Sequence, residues 1–220
     1  MKNPSISVLL ALSLISAHAG AATITWSVAS ISGDTDVVST GVTHTALNGS
    51  ATAVTNPLTI NGVEFQSDGD GSDLLSGNFG GDAWTGPETG DYQQLLSNID
   101  FQSNGTGDLT VTTFSGLAIG DNYTFQYWYA DDNWQAPNPD RELTISLGTG
   151  TQSGDNVING GEFATGTFTA DATSIDLIVS STHNGVRMSA LQLRNTSIPE
   201  PSIALLSGLG VLGLIRRRRD

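Results

Sequence analysis

The stretch Asn122-Tyr-Thr-Phe-Gln-Tyr-Trp-Tyr129 alternates with a period of two. Tyr123, Phe125, Tyr127 and Tyr129 fall on one face, and Thr124, Gln126 and Trp128 on the other. A β-branched and aromatic run with that period is a strand, since successive side chains of extended backbone point to opposite sides. The same alternation recurs in Leu143–Leu147, in GTFTA and in SIDLIVS (Ile175, Leu177, Val179). In GVRMSALQLR, Val186 and Met188 share one phase while Leu191 and Leu193 take the other, which predicts a β-bulge near Ala190. Earlier candidates are TITWSVAS, DVVSTGVTHTA, ATAVT, LTINGVEFQ and LTVTTFSGL, with Asn61-Gly62 as a hairpin turn inside the fourth. DYQQLLSN is the one candidate helix, with Asp91 near its start. Strands at roughly ten-residue spacing with glycine-rich turns predict an all-β chain, an antiparallel β-sandwich or jelly roll. Two sheets bury strands that are apolar on one side, and no longer internal period points to a solenoid or propeller.

Both ends of the chain read as processing segments. Lys2 precedes an apolar run, Ile6 to Ile15, and then small residues with two Ala-x-Ala sites ending at Ala19 and Ala21. This is the pattern of a signal peptide, so residues 1–21 are expected to form an apolar helix removed on export after Ala21. At the other end, Ser202 to Ile215 is uncharged and Arg216, Arg217, Arg218 and Arg219 follow directly. As a helix those fourteen residues would cover ~21 Å at ~1.5 Å per residue, short of the ~30 Å hydrocarbon core. The segment therefore reads as a transient transmembrane stop, with the arginines left in the cytoplasm. The organisation expected is a signal peptide over 1–21, a β-sandwich over 22–197 and a C-terminal signal over 198–220.

Between those segments, three cations, Arg141, Arg187 and Arg194, stand against twenty Asp and Glu. That field repels nucleic acid and anionic membranes. The chain has no cysteine, which removes thiol chemistry and disulfide staples. An exported domain of this size must then hold itself together by burial, for which roughly 175 residues suffice.

The tail resembles the PEP-CTERM sorting signal of bacterial envelope proteins. The matching residues are Pro199-Glu200-Pro201, the apolar run and the four arginines. The resemblance implies recognition by a membrane-embedded transpeptidase, an exosortase, and processing near Pro199, Glu200 and Pro201. It implies retention by Arg216 to Arg219 until then, and delivery to the cell surface or extracellular matrix. The domain is also similar to small secreted β-domains found upstream of such tails, through TITW…ISGDTDV, NGVEF, FSGLAIGDNYTFQYWYAD and GTFTADATS…SALQLR. That similarity implies a jelly-roll-like fold and no particular activity.

Candidate ligand sites are few. Asp68, Asp70 and Asp73 lie on a glycine-rich loop, but counting from Asp68 an EF-hand would need Gly and Glu where Asp73 and Phe79 stand. A non-EF calcium loop is the alternative to a solvated acidic turn, and no other cofactor is indicated. In YADDNWQAPNPDRE, Trp134 with Asp132 and Asn133 has the chemistry of a sugar site, an aromatic platform beside carboxylate and amide, and Trp84 could supply a second platform. The competing reading gives each tryptophan the structural role of lidding an end of the sandwich. His44 and His183 lack zinc-ligand spacing, and no nucleophile elbow or phosphate loop is present. Arg141 and Arg187 read as ion-pair partners. The expectation is a non-enzymatic surface or matrix protein, with a carbohydrate-binding module as the alternative.

Overall fold

The run over Asn122–Tyr129 is a strand buried on both faces. A computed structural model describes residues 22–49, 57–67, 74–75, 77–79, 83–102, 105–131, 141–183 and 185–197. Their elements, in chain order, are β1 (Ile24–Ser30), a 3-10 turn (Asp34–Asp36), β2 (Val42–Asn48), β3 (Leu58–Ile60), β4 (Val63–Ser67), β5 (Gly77–Phe79), α1 (Gly90–Ser97), β6 (Ile99–Phe101), β7 (Gly107–Ser115), β8 (Asn122–Tyr129), β9 (Leu143–Leu147), β10 (Gln152–Gly154), β11 (Val157–Ile158), β12 (Glu162–Thr169), β13 (Ser174–Ser181), β14 (Arg187–Met188) and β15 (Ala190–Asn195). The chain is mostly β with large sheets, and a β-sandwich fits it. The sequence candidate ATAVT and the expected terminal helices lie outside the described residues.

An eight-stranded sheet runs in the order β10-β1-β12-β8-β15-β2-β4-β3, and a four-stranded sheet in the order β11-β9-β13-β7. A smaller sheet, β14-β6-β5, completes one end. Pairing is antiparallel except at β1·β10 and β2·β4, which are parallel. The strand β15, last in the chain among the described elements, lies between β8 and β2 near the middle of the large sheet.

The odd-numbered aromatics of β8 face the main core with Ile24, Trp26, Phe114, Ile145, Leu177, Val179, Leu191 and Leu193. The other face of β8 is covered too. Trp128 stacks on Phe163 at 5.8 Å and meets the Phe65 edge at 6.0 Å, inside a second cluster with Val37, Leu58, Ile60, Tyr92, Leu95 and Leu96. The β3–β4 hairpin and α1 supply that cover, so the large sheet carries apolar side chains on both sides where a plain sandwich carries them on one. The hairpin turns through Asn61 and Gly62, with φ of 48° and 79°. Positive φ at both central residues is the turn that Asn-Gly favours.

The polar residues on this outer face bind the chain that crosses it. Gln126 Nε2 donates to Asp36 O at 2.8 Å, and Gln126 Oε1 accepts from Val38 N at 2.8 Å. Arg194 donates to Ser39 O, Thr40 O, Gly41 O and Thr43 Oγ1, at 2.6–2.8 Å. A buried guanidinium is tolerable there because its fork of donors is met by oxygens.

The phase change in GVRMSALQLR has a different cause from the bulge expected near Ala190. At Ser189 the chain leaves the small sheet, where Arg187 and Met188 pair with β6, and enters the large one at Ala190. Ser189 N donates to Trp128 O and its Oγ accepts from Ala130 N. Changing sheets keeps Val186, Met188, Leu191 and Leu193 all on the main core. The register shift of β15 against β2 falls at Leu193/Arg194 instead.

Candidate functional site

The two ends of the sandwich differ in chemistry. At one end β8 runs on into Ala130 and Asp131, and the Asp131 carboxylate is fully buried. Arg187 Nη1 stands 2.9 Å from Asp131 Oδ2 and Arg141 Nη1 3.5 Å from it, with Arg141 only 2% exposed. Arg141 Nε donates to His183 O at 3.2 Å, and the Arg187 guanidinium lies 5.6 Å from the Phe101 ring centroid. Tyr127 Oη donates to Arg187 O at 2.6 Å, while the nearby buried Asp100 accepts from Leu75 N at 2.8 Å. Burial pulls the Arg187 guanidinium below its ordinary value, and the Asp131 carboxylate opposes that shift.

Sequence reasoning placed Arg141 and Arg187 in ion pairs but missed their shared partner. Asp131 sits directly after the strand that alternates most cleanly, at the root of the segment with Trp134, and its position there was the available signal. The three charges join the ends of β8, β9 and β14, far apart in sequence. Such a cluster ties chain segments together. Glu162 accepts from Asn159 N, Glu64 is exposed beside Gln66, and Glu142 is exposed.

Trp84, the second suggested sugar platform, is half-buried against the outer-face cluster. Its Nε1 donates to the Glu88 carboxylate. A Cβ on Gly161 would come within 3.2 Å of the indole, so that ring packs closely against the backbone there. Trp134, Asp132 and Asn133 lie outside the described residues. So do Asp68, Asp70 and Asp73, Ala19 and Ala21, Pro199, Glu200 and Pro201, and Arg216 to Arg219. Among the described residues no three His, Asp or Glu side chains gather as a metal site, and no helix is long and apolar enough to cross a membrane.

At the opposite end the chain leaves the large sheet. Thr196 N donates to Asn122 O at 2.8 Å, Asn122 N donates to Ser197 Oγ at 2.7 Å, and Ser197 N donates to Asn195 Oδ1 at 2.9 Å. Asn195 Nδ2 donates to Asp121 Oδ2 at 2.7 Å. The backbone is thus held to the sandwich up to Ser197.

Residues 197–219 match the model of the PEP-CTERM protein-sorting motif. The motif begins at Ser197, whose Oγ accepts from Asn122 N. The motif implies exosortase-dependent sorting of an exported protein toward the cell envelope or surface. No curated protein matches the chain. Among solved structures, the D341A D367A calcium binding mutant of Bacteroides uniformis beta-glucuronidase 2 is similar over 76% of this chain and 19% of its own, at 16% identity and a TM-score of 0.45. The chain therefore spans about a fifth of that protein's length.

Proposed function

We propose that the protein is a non-enzymatic component of the cell surface or extracellular matrix, exported by a signal peptide cleaved at Ala19 or Ala21 and sorted through its C-terminal signal. The observation that carries this reading is the motif at 197–219, which begins two residues past the end of β15. With β15 central in the large sheet, the whole folded domain lies on one side of the signal. In this proposal Pro199, Glu200 and Pro201 are recognised and processed by an exosortase-type transpeptidase. Arg216 to Arg219 hold the chain at the inner membrane until that step. The domain needs no cofactor, and its sandwich is jelly-roll-like, a reading supported by the antiparallel run β1-β12-β8-β15-β2. The test is the mass of the C-terminal peptide of the protein from its native cells. A chain ending near Pro199–Pro201, without the arginines, is expected. Arginines still present on the mature protein would make the tail an anchor and overturn the sorting role.

A second reading, a carbohydrate-binding module, draws support from the buried Asp131 cluster, which anchors the start of the segment bearing Asp132, Asn133 and Trp134. Its expected result is a change of tryptophan fluorescence on adding an extracellular polysaccharide, abolished in Trp134→Ala. A flat response over a broad glycan panel removes it.

A further inference from the structure

The end of the sandwich from which the chain departs is close to whatever holds the apolar tail. Ser197, the last of the described residues, is bound to the domain, and the uncharged run begins at Ser202. Five residue steps reach at most about 17 Å even when fully extended. The headgroup layer takes up about 5–8 Å of that distance. A tail seated in a bilayer therefore keeps this end of the domain within about 12 Å of the headgroup surface, close enough to touch it.

The surface at this end is unlike the rest. Among the described residues two large apolar side chains are exposed, Ile119 at 64% and Val42 at 36%. Both flank the exit. Val42 pairs with Asn195 across β2·β15, and Ile119 tips the turn closed by Asp121 N donating to Ala118 O. That turn is the one Asn195 grips through Asp121. His44, two residues further along β2, ties the same corner by contact between its Nε2 and Ser115 O at 3.0 Å. An apolar tip on an acidic, cation-poor domain suits insertion between uncharged headgroups, since the Arg194 guanidinium beside it is buried and bound to Ser39 O, Thr40 O, Gly41 O and Thr43 Oγ1 rather than offered to anionic lipid.

We infer that, before processing, the domain stands on the membrane with the Ile119 turn and Val42 edge against a zwitterionic lipid surface. This rests on the proposed role of the tail. The Asp131 cluster, at the far end of β8, then faces away by ~26 Å, the length of an eight-residue strand. The end of the domain that carries the Asp131 cluster is then the one turned toward the surroundings.

Because the chain has no cysteine, single labels are unambiguous. The exported chain, residues 22–220, carrying Ile119→Cys, or Glu142→Cys at the far end of the domain, is labelled with an environment-sensitive dye. Each is added to vesicles of phosphatidylcholine and phosphatidylethanolamine, with and without headgroup nitroxide lipid. Flotation with the vesicles is measured first. The expected result is that both proteins float, the label at 119 loses most of its fluorescence to the nitroxide, and the label at 142 keeps its own. A floating chain in which both labels are quenched alike, or 142 more, overturns the orientation while leaving the tail's role intact. A chain that does not float overturns both.

Discussion

Raising the pH above about 10 is expected to unfold the domain with a slope set by three tyrosines. Burial raises the hydroxyl pKa of Tyr92, Tyr127 and Tyr129, and neighbouring carboxylates push the same way: Asp36 at Tyr92, Asp100 at Tyr127 and Asp131 at Tyr129. Contact with Arg141 offsets part of the effect at Tyr129. Below pH 10 folded and unfolded chains both keep these protons, and the contribution is constant. Above it the unfolded chain releases three that the folded chain retains, so stability falls by ~1.4 kcal/mol per pH unit for each group and about 4 kcal/mol for all three. Against a typical 5–15 kcal/mol, that removes the fold within a few pH units. Urea unfolding followed by tryptophan fluorescence between pH 8 and 11.5 gives the slope. In a Tyr123→Phe background, where these three are the tyrosines left in the chain, tyrosinate absorbance should appear together with unfolding, and Tyr127→Phe should cut the slope by about a third. A gradual tyrosinate titration in a domain that stays folded would show that solvent reaches these hydroxyls, and the packing described for them would be wrong.

The same residues mark what sequence could tell. The alternation of β8 was legible because a strand projects side chains with a period of two whatever covers it. What covers the second face was not, since Trp128 reads equally as an exposed aromatic or as the floor of another core. Only tertiary contact with Phe65, Phe163 and Tyr92 decides that. The phase change around Ser189 was visible as a change of period, but a bulge and a change of sheet leave the same trace in a single sequence. The tail was readable because its message lies in order and charge rather than in folding. The Asp131 cluster was half readable. Few cations in an acidic domain predicted pairing, but with twenty acids to choose from, the shared partner follows only from three distant strands meeting at one end.

That cluster carries the largest expected effect of a single substitution. In Asp131→Ala the carboxylate between Arg141 and Arg187 is gone, and two guanidinium groups remain where one is 2% and the other 14% exposed. Removing one partner of a buried ion pair costs about 3–5 kcal/mol, because the remaining charge keeps its desolvation penalty and loses its compensation. Here two cations are left facing each other, so the upper part of that range is expected. Asp131→Asn should cost nearly as much, since it keeps the shape and removes the charge. Replacing all three with Asp131→Leu, Arg141→Met and Arg187→Met should recover most of the loss, as an apolar cluster of similar volume has no charge to desolvate. Urea unfolding at pH 7 measures each. The cost should also change little between low and high salt, because buried charges are poorly screened. If Asp131→Ala costs under about 1 kcal/mol, water reaches the arginines and the pair behaves as a surface salt bridge. The far end of the sandwich would then be open, and Asp131 could not fix the start of the segment that bears Trp134.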